Sequence, residues 1–233
     1  MLANELLVVY RQLIDSIEQE QLQMINRVAE LAAQSVAAGG SVYIHDRGHL
    51  LNYELFHRSG GLALLKHLNM SPVTGEGVQG ELDAAAATIP ASPIRKGDIL
   101  ILGSVSGRAA SVVELARQAR DHGIVTVALT AVDYTSQTPS LHPSGKRLFE
   151  VCEHVLDIMT LKGDAALEAE GMEEKILPTS GVTSAVVSWC FIAQLIESLL
   201  AKGIAPSVYR SVSMPGGMEQ IEATNKRFQE LGY

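Results

Sequence analysis

Apolar residues Leu6, Tyr10, Leu13, Ile17, Met24, Val28 and Leu31 recur at intervals of three, four or seven positions. That period predicts one long helix over residues 3–38, and Gly39-Gly40 is a suitable stop. Shorter units follow. "SVYIH" reads as a strand and "HLLNYELFHRSG" as a helix ending at Gly60-Gly61. "LALLKHL" is a second strand, and a loop with Pro72, Gly75 and Gly77 leads to a helix in "VQGELDAAAAT". "DILILGS" is the clearest strand. "SVVELARQARDHG" is an amphipathic helix with Val112, Val113, Leu115, Ala116 and Ala119 on one side. A strand "IVTVALT", a short helix "SGKRLFEVC" and a strand "HVLDIMT" come next. Residues 179–202 form a long apolar helix, and 217–231 a last one.

Strands that alternate with helices predict an α/β fold with a parallel sheet covered on both faces. "ILIL" and "VTVAL" lack polar alternation, as doubly covered strands do. Right-handed crossovers then build an open, doubly wound sheet of about five strands in three α/β/α layers. The chain reads as a single domain over 39–233, with helix 1–38 packed on that domain or on a partner subunit.

Composition narrows the function. The 233 residues are 47% hydrophobic and only 19% charged, so a long disordered region is not expected. So low a charge also suggests apolar surface for a subunit interface. A net charge of -8 argues against a nucleic-acid surface. It leaves room for a small anion held by hydroxyls and N–H groups at a helix start. The two cysteines, Cys152 and Cys190, indicate no disulfide framework. The N-terminus lacks a signal peptide's apolar core. The apolar run "AVVSWCFIAQLIESLL" carries Gln194 and Glu197 and is too short for a membrane span. A cytoplasmic chain without membrane contact is the expectation.

Ligands of open parallel sheets bind at the carboxyl ends of strands. In "SVSGR", Ser104 and Ser106 offer hydroxyls, Gly107 permits close backbone approach, and a helix begins at once. A phosphate cradle and a plain N-cap both fit that pattern. In "PTSGVTSA", Thr179 and Ser180 precede a second helix start, with Thr183 and Ser184 in its first turn. Two such starts favour a phosphorylated small molecule. The Walker lysine and G-x-G-x-x-G patterns are absent, and no cofactor is expected. Glu54 and His57, three apart on the expected helix, could serve as base and acid beside Arg58; a solvated helix face explains them equally. Arg47 sits just past a strand end, where a phosphate could meet it. His45 and His49 are four apart on an expected turn, and no metal site is expected there.

The segment "ILILGSVSGRAASVVELARQARDHGIVTVALT" resembles the SIS, or sugar isomerase, domain family. "YELFHRSGGL", "SLHPSGKRL" and "SVSMPGG" resemble segments of a little-characterised bacterial branch of it. The resemblance implies a flavodoxin-like sheet of five parallel strands and a homo-oligomer, dimer or tetramer. It implies that Ser104, Ser106, Gly107 and Arg108 hold a sugar phosphate, with Thr179 and Ser180 nearby. It further implies a proton-shuttling Glu, for which Glu54 is placed, and a ring-opening His, with His57 and His49 as candidates.

Two departures bear on this. The first loop, "HDRGHLL", has one Gly and no Ser where many SIS proteins read Gly-x-Gly-x-Ser. Ala109 stands where the branch has Asn. Three readings follow: an aldose–ketose isomerase acting on a sugar phosphate, a non-catalytic phosphosugar sensor, and a lyase or etherase acting on a phosphorylated amino sugar.

Overall fold

The computed structural model describes residues 1–48, 51 and 54–233. Five parallel strands form the main sheet: β1 (Val42–Asp46), β2 (Leu65–His67), β3 (Ile99–Gly103), β4 (Val125–Thr130) and β5 (His154–Asp157). Their order is β2-β1-β3-β4-β5, the flavodoxin-like arrangement, with its switch point between β1 and β3.

Strand alternation sends side chains to two cores. Val42, Ile44, Ile99, Ile101, Val127 and Leu129 face one side. There they meet α1 (Leu2–Ala37) and α6 (Ser180–Ala201). Tyr43, Leu100, Leu102 and Ala128 face the other side, under α2 (Gly77–Thr88), α3 (Ala110–Asp121) and the short α5 (Leu148–Val151). Burial on both faces is why these strands read as unbroken apolar runs.

The long first helix belongs to the core. Ala29, Ala32 and Ala33 are fully buried, in one cluster with Val187, Phe191, Leu195 and Leu199 of α6. Small residues on α1 let the two helices approach closely. By length and composition alone, α6 would reach across a membrane, with a mean hydropathy of 1.6. It is longer than the apolar run read from the sequence, because Ser180, Thr183 and Ser184 extend it and are themselves buried. The last helix, α7 (Gly217–Leu231), is tied to the segment before it: the Thr224 hydroxyl donates to the Val208 carbonyl at 3.3 Å. That preceding segment pairs with the chain entering β2, through Leu62 and Val208.

Three features differ from the sequence reading. The expected helix "HLLNYELFHRSG" is absent among its described residues, Leu51 and 54–60, which form turns and bends. Leu51 and Leu55 are buried, and the Leu55 N–H donates to the Leu51 carbonyl at 3.2 Å. His57 then adopts φ +55°, a left-handed conformation that stops propagation. The helix in "SGKRLFEVC" covers only its last half. Two elements were not expected: α4 (Val132–Ser136), and an antiparallel hairpin of β6 (Ala165–Leu167) and β7 (Ile176–Pro178) leading into α6.

Replacing Ala33 with Leu inserts methylenes into the α1 side of the core. It is expected to lower stability by about 1–3 kcal/mol, read from the urea midpoint at unchanged m-value.

Candidate functional site

The site forms at the carboxyl ends of β1, β3 and β4. Pairing between β3 and β4 continues past the strands. The Ser104 N–H donates to the Leu129 carbonyl at 3.0 Å, and the Val105 carbonyl accepts from the Ala131 N–H at 3.1 Å and the Thr130 hydroxyl at 3.0 Å. From the other side, the Gly107 carbonyl accepts from the Leu148 N–H at 2.8 Å, and the Arg108 carbonyl from the Leu141 N–H at 2.9 Å. The Ser104–Arg108 turn is therefore fixed at both ends. Gly107 lies at φ +56°, and a Cβ there would come within 3.0 Å of the Thr130 hydroxyl and 3.1 Å of the Thr135 hydroxyl. Only glycine suits that position.

The loop after β1 folds over the end of β3. The Arg47 N–H donates to the Gly103 carbonyl at 2.9 Å, and the Asp46 carboxylate accepts the Leu51 N–H at 2.9 Å. A Cβ on Gly103 would sit 2.7 Å from that carboxylate, so glycine makes the crossing possible.

The residues nominated from the sequence meet three different fates. Thr179 and Ser180 start α6, but an internal anion already occupies the start. Asp164 Oδ1 accepts the N–H groups of Thr179 at 3.0 Å and Ser180 at 2.6 Å, and Oδ2 accepts the Ser180 hydroxyl at 2.6 Å. The hydroxyls of Thr160 and Thr179 also bond to each other. Burial pushes the Asp164 carboxyl up, but these donors outweigh it and hold the group below the usual aspartate range. Arg47 is likewise engaged. Its guanidinium pairs with Glu81 of α2 at 3.1 Å and bonds the Ser111 hydroxyl on α3.

Ser104, Ser106 and Arg108 are different. Among the described residues, neither serine hydroxyl has a hydrogen-bond partner, and the Arg108 guanidinium has neither hydrogen bond nor ion pair. The Arg108 Nε is buried and unsatisfied. A buried guanidinium nitrogen without an acceptor is costly, and an anion delivered at this turn would relieve it. No side chain caps α3 at Ala109.

Glu54 sits on the loop beyond Leu51, not on a helix face with His57. Its Oε1 accepts the Trp189 indole N–H of α6 at 2.9 Å and lies 3.7 Å from Arg58 Nη2. The indole hydrogen bond and the Arg58 ion pair orient the carboxylate, and among the described residues Oε2 has no hydrogen-bond partner. The His57 ring packs instead against Tyr209, with centroids 5.5 Å apart. His49 lies outside the described residues. His45 is buried and donates from Nδ1 to the Leu68 carbonyl at 3.0 Å. Burial lowers its proton affinity and favours the neutral ring. Among the described residues no three His, Cys, Asp or Glu side chains converge as metal ligands, and both cysteines are free.

Sequence reasoning missed Asp164 and Trp189. Nothing local marked either one: Asp164 follows a Lys-Gly turn, and Trp189 lies inside an apolar helix.

A profile described as the SIS domain matches residues 7–131. A UPF0309 protein of Streptomyces griseus is 34% identical over 218 residues, which cover 89% of this chain and 87% of that protein. A UPF0309 protein of Listeria monocytogenes is 34% identical over 224 residues, 94% of each. Among solved structures, a phosphoheptose isomerase from Neisseria gonorrhoeae superposes with a TM-score of 0.53 at 17% identity, covering 85% of this chain and 98% of that one. One from Francisella tularensis gives 0.51 at 14%, covering 84% and 96%. These two likenesses concern the fold.

Removing the internal cap with Asp164→Ala is expected to cost about 0.5–2 kcal/mol near neutral pH. The carboxyl titrates lower in the folded state than in the unfolded one. Its contribution is therefore complete above the unfolded value and lost as pH falls through the folded one. Urea unfolding of both proteins down a pH series should show their difference shrinking at acid pH.

Proposed function

Because the chain belongs to the SIS-domain family, with UPF0309 proteins as its relatives, we propose that it binds a sugar phosphate at the Ser104–Arg108 turn. The single observation that carries this reading is the buried Arg108 Nε and two serine hydroxyls that have no hydrogen-bond partner among the described residues, on a turn fixed from both sides. The phosphate would lie between Ser104, Ser106 and Arg108, next to the uncapped start of α3. Thr179, Ser180 and Arg47 contribute less directly, since Asp164 and Glu81 already face them.

The reaction we assign is aldose–ketose isomerisation. Glu54 Oε2 would carry a proton between adjacent carbons through an enediolate, while Trp189 and Arg58 hold Oε1. His57 or His49 would assist ring opening. The solved phosphoheptose isomerases that share the fold support this class of chemistry. The binding-only alternative draws on Ala109 and the "HDRGHLL" loop, which lack polar groups that many SIS proteins carry. For the homo-oligomer we expect, the exposed Leu7, Val8 and Ile14 of α1 offer an apolar face.

A panel of sugar phosphates in a thermal-shift assay is expected to yield a binder that raises the Tm. Arg108→Ala should abolish that shift. Glu54→Gln should keep the shift and lower turnover by at least about 100-fold. A wild-type chain that binds but turns over no phosphosugar would establish the sensor reading. No shift with any member of the panel would overturn sugar-phosphate binding.

A further inference from the structure

A second cluster lies one turn into α3, at Glu114. The segment 138–147, between α4 and α5, brings His142 against Glu114. His142 is almost fully buried, and its Nε2 is 3.0 Å from Glu114 Oε2. Its Nδ1 is 2.7 Å from the Ser144 hydroxyl and 3.1 Å from the Ser144 N–H. The backbone N–H can only donate, so Nδ1 is the bare nitrogen and Nε2 carries the proton toward the carboxylate. Glu114 is itself fixed, by Arg117 Nη1 at 2.7 Å and Gln118 Nε2 at 2.7 Å. Burial pushes its carboxyl up, but Gln118, His142 and Arg117 together leave it below the usual glutamate range, so it is ionised.

The result is a chain from buried carboxylate through buried imidazole to a hydroxyl at the surface, where Ser144 is exposed. It opens on a groove of about 940 Å³ between α2, α3 and the segment 142–153. Gln79 and Asp83 of α2 line it, as do Arg117 and Lys146. Ser104, Ser106, Arg108 and Glu54 do not line it. The Lys146 backbone N–H donates to the serine oxygen at 3.3 Å and helps hold the hydroxyl in place.

We propose that Ser144 is a nucleophile for acyl transfer from an ester, with His142 as its general base and Glu114 as the residue that positions His142. Nothing in the sugar-phosphate reading uses these three residues. Ser144 Oγ attacks the ester carbonyl carbon, and the Oγ–C bond forms as the hydroxyl proton passes to His142 Nδ1. The imidazolium returns that proton to the alcohol oxygen as the ester C–O bond breaks. Water then attacks the acyl carbon and gives a proton to the same nitrogen; the C–Oγ bond breaks, Ser144 Oγ takes that proton back from the imidazolium, and the acid leaves.

Diisopropyl fluorophosphate tests the nucleophile without knowledge of the natural ester. The Oγ–P bond forms, the P–F bond breaks, fluoride leaves and the proton passes through His142 to solvent. Intact mass and peptide mapping should find one adduct, on Ser144, and none in Ser144→Ala, whose change at the surface leaves the His142–Glu114 pair in place. His142→Gln should slow labelling by about 100-fold or more. With p-nitrophenyl acetate as substrate, Glu114→Gln should lower kcat by about tenfold with KM unchanged, which a merely structural role would not produce. A wild-type chain left unlabelled at Ser144, or a folded His142→Gln that labels at the wild-type rate, would overturn the proposal.

Discussion

The site depends on one constraint: the β3–β4 hydrogen-bond ladder does not stop where the strands stop. Ser104, Val105, Thr130 and Ala131 carry it one step further, so the turn that follows starts from a rigid origin. Backbone donors from Leu141 and Leu148 fix the other end. A ligand that met a loose turn would have to order it, at a cost of about 1–2 kcal/mol per residue. Here that ordering is complete before anything binds. The same rigidity explains why a position crowded by two threonine hydroxyls is glycine.

Electrostatics divides the polar groups at the strand ends into two sets. Asp164 occupies the amino end of α6, and Glu81 occupies Arg47. These are internal ion and hydrogen-bond pairs that complete the fold. The Ser104–Arg108 turn has no such internal partner among the described residues. The protein therefore places its own carboxylates at two anion-attracting places, and among the described residues it places none at the third. A helix start rich in hydroxyls is compatible with either outcome, and only the tertiary neighbours decide between them.

The sheet was legible because its strands are buried on both faces and read as continuous apolar runs, bounded by glycine turns. The long helices were legible from their 3.6-residue period. What misled was the loop after β1: Leu51 and Leu55 have helical spacing and are both buried, but the left-handed His57 does not continue a helix. The hairpin β6–β7 was invisible because each strand is three residues long, too short for any period. The serine turn was legible as a candidate, since it lies at a strand end where the topology directs ligands. The occupation of Thr179 and Ser180 was not, because Asp164 reaches them across the hairpin, 15 and 16 residues away in sequence. Likewise the Glu114–His142 pair spans 28 residues, and no local pattern announces it.

The hairpin that separates Asp164 from Ser180 acts as a tether whose tip, Glu168–Lys175, is mostly exposed and rich in acidic side chains. The bonds that fasten α6 to this end of the sheet join residues at the base of the tether, not at its tip. Covalent continuity at the tip is therefore dispensable to the fastening. A protease nick there would leave two fragments still clasped by the same carboxylate, and the tip is where a foreign peptide could be spliced into this chain with least disturbance to the folded body.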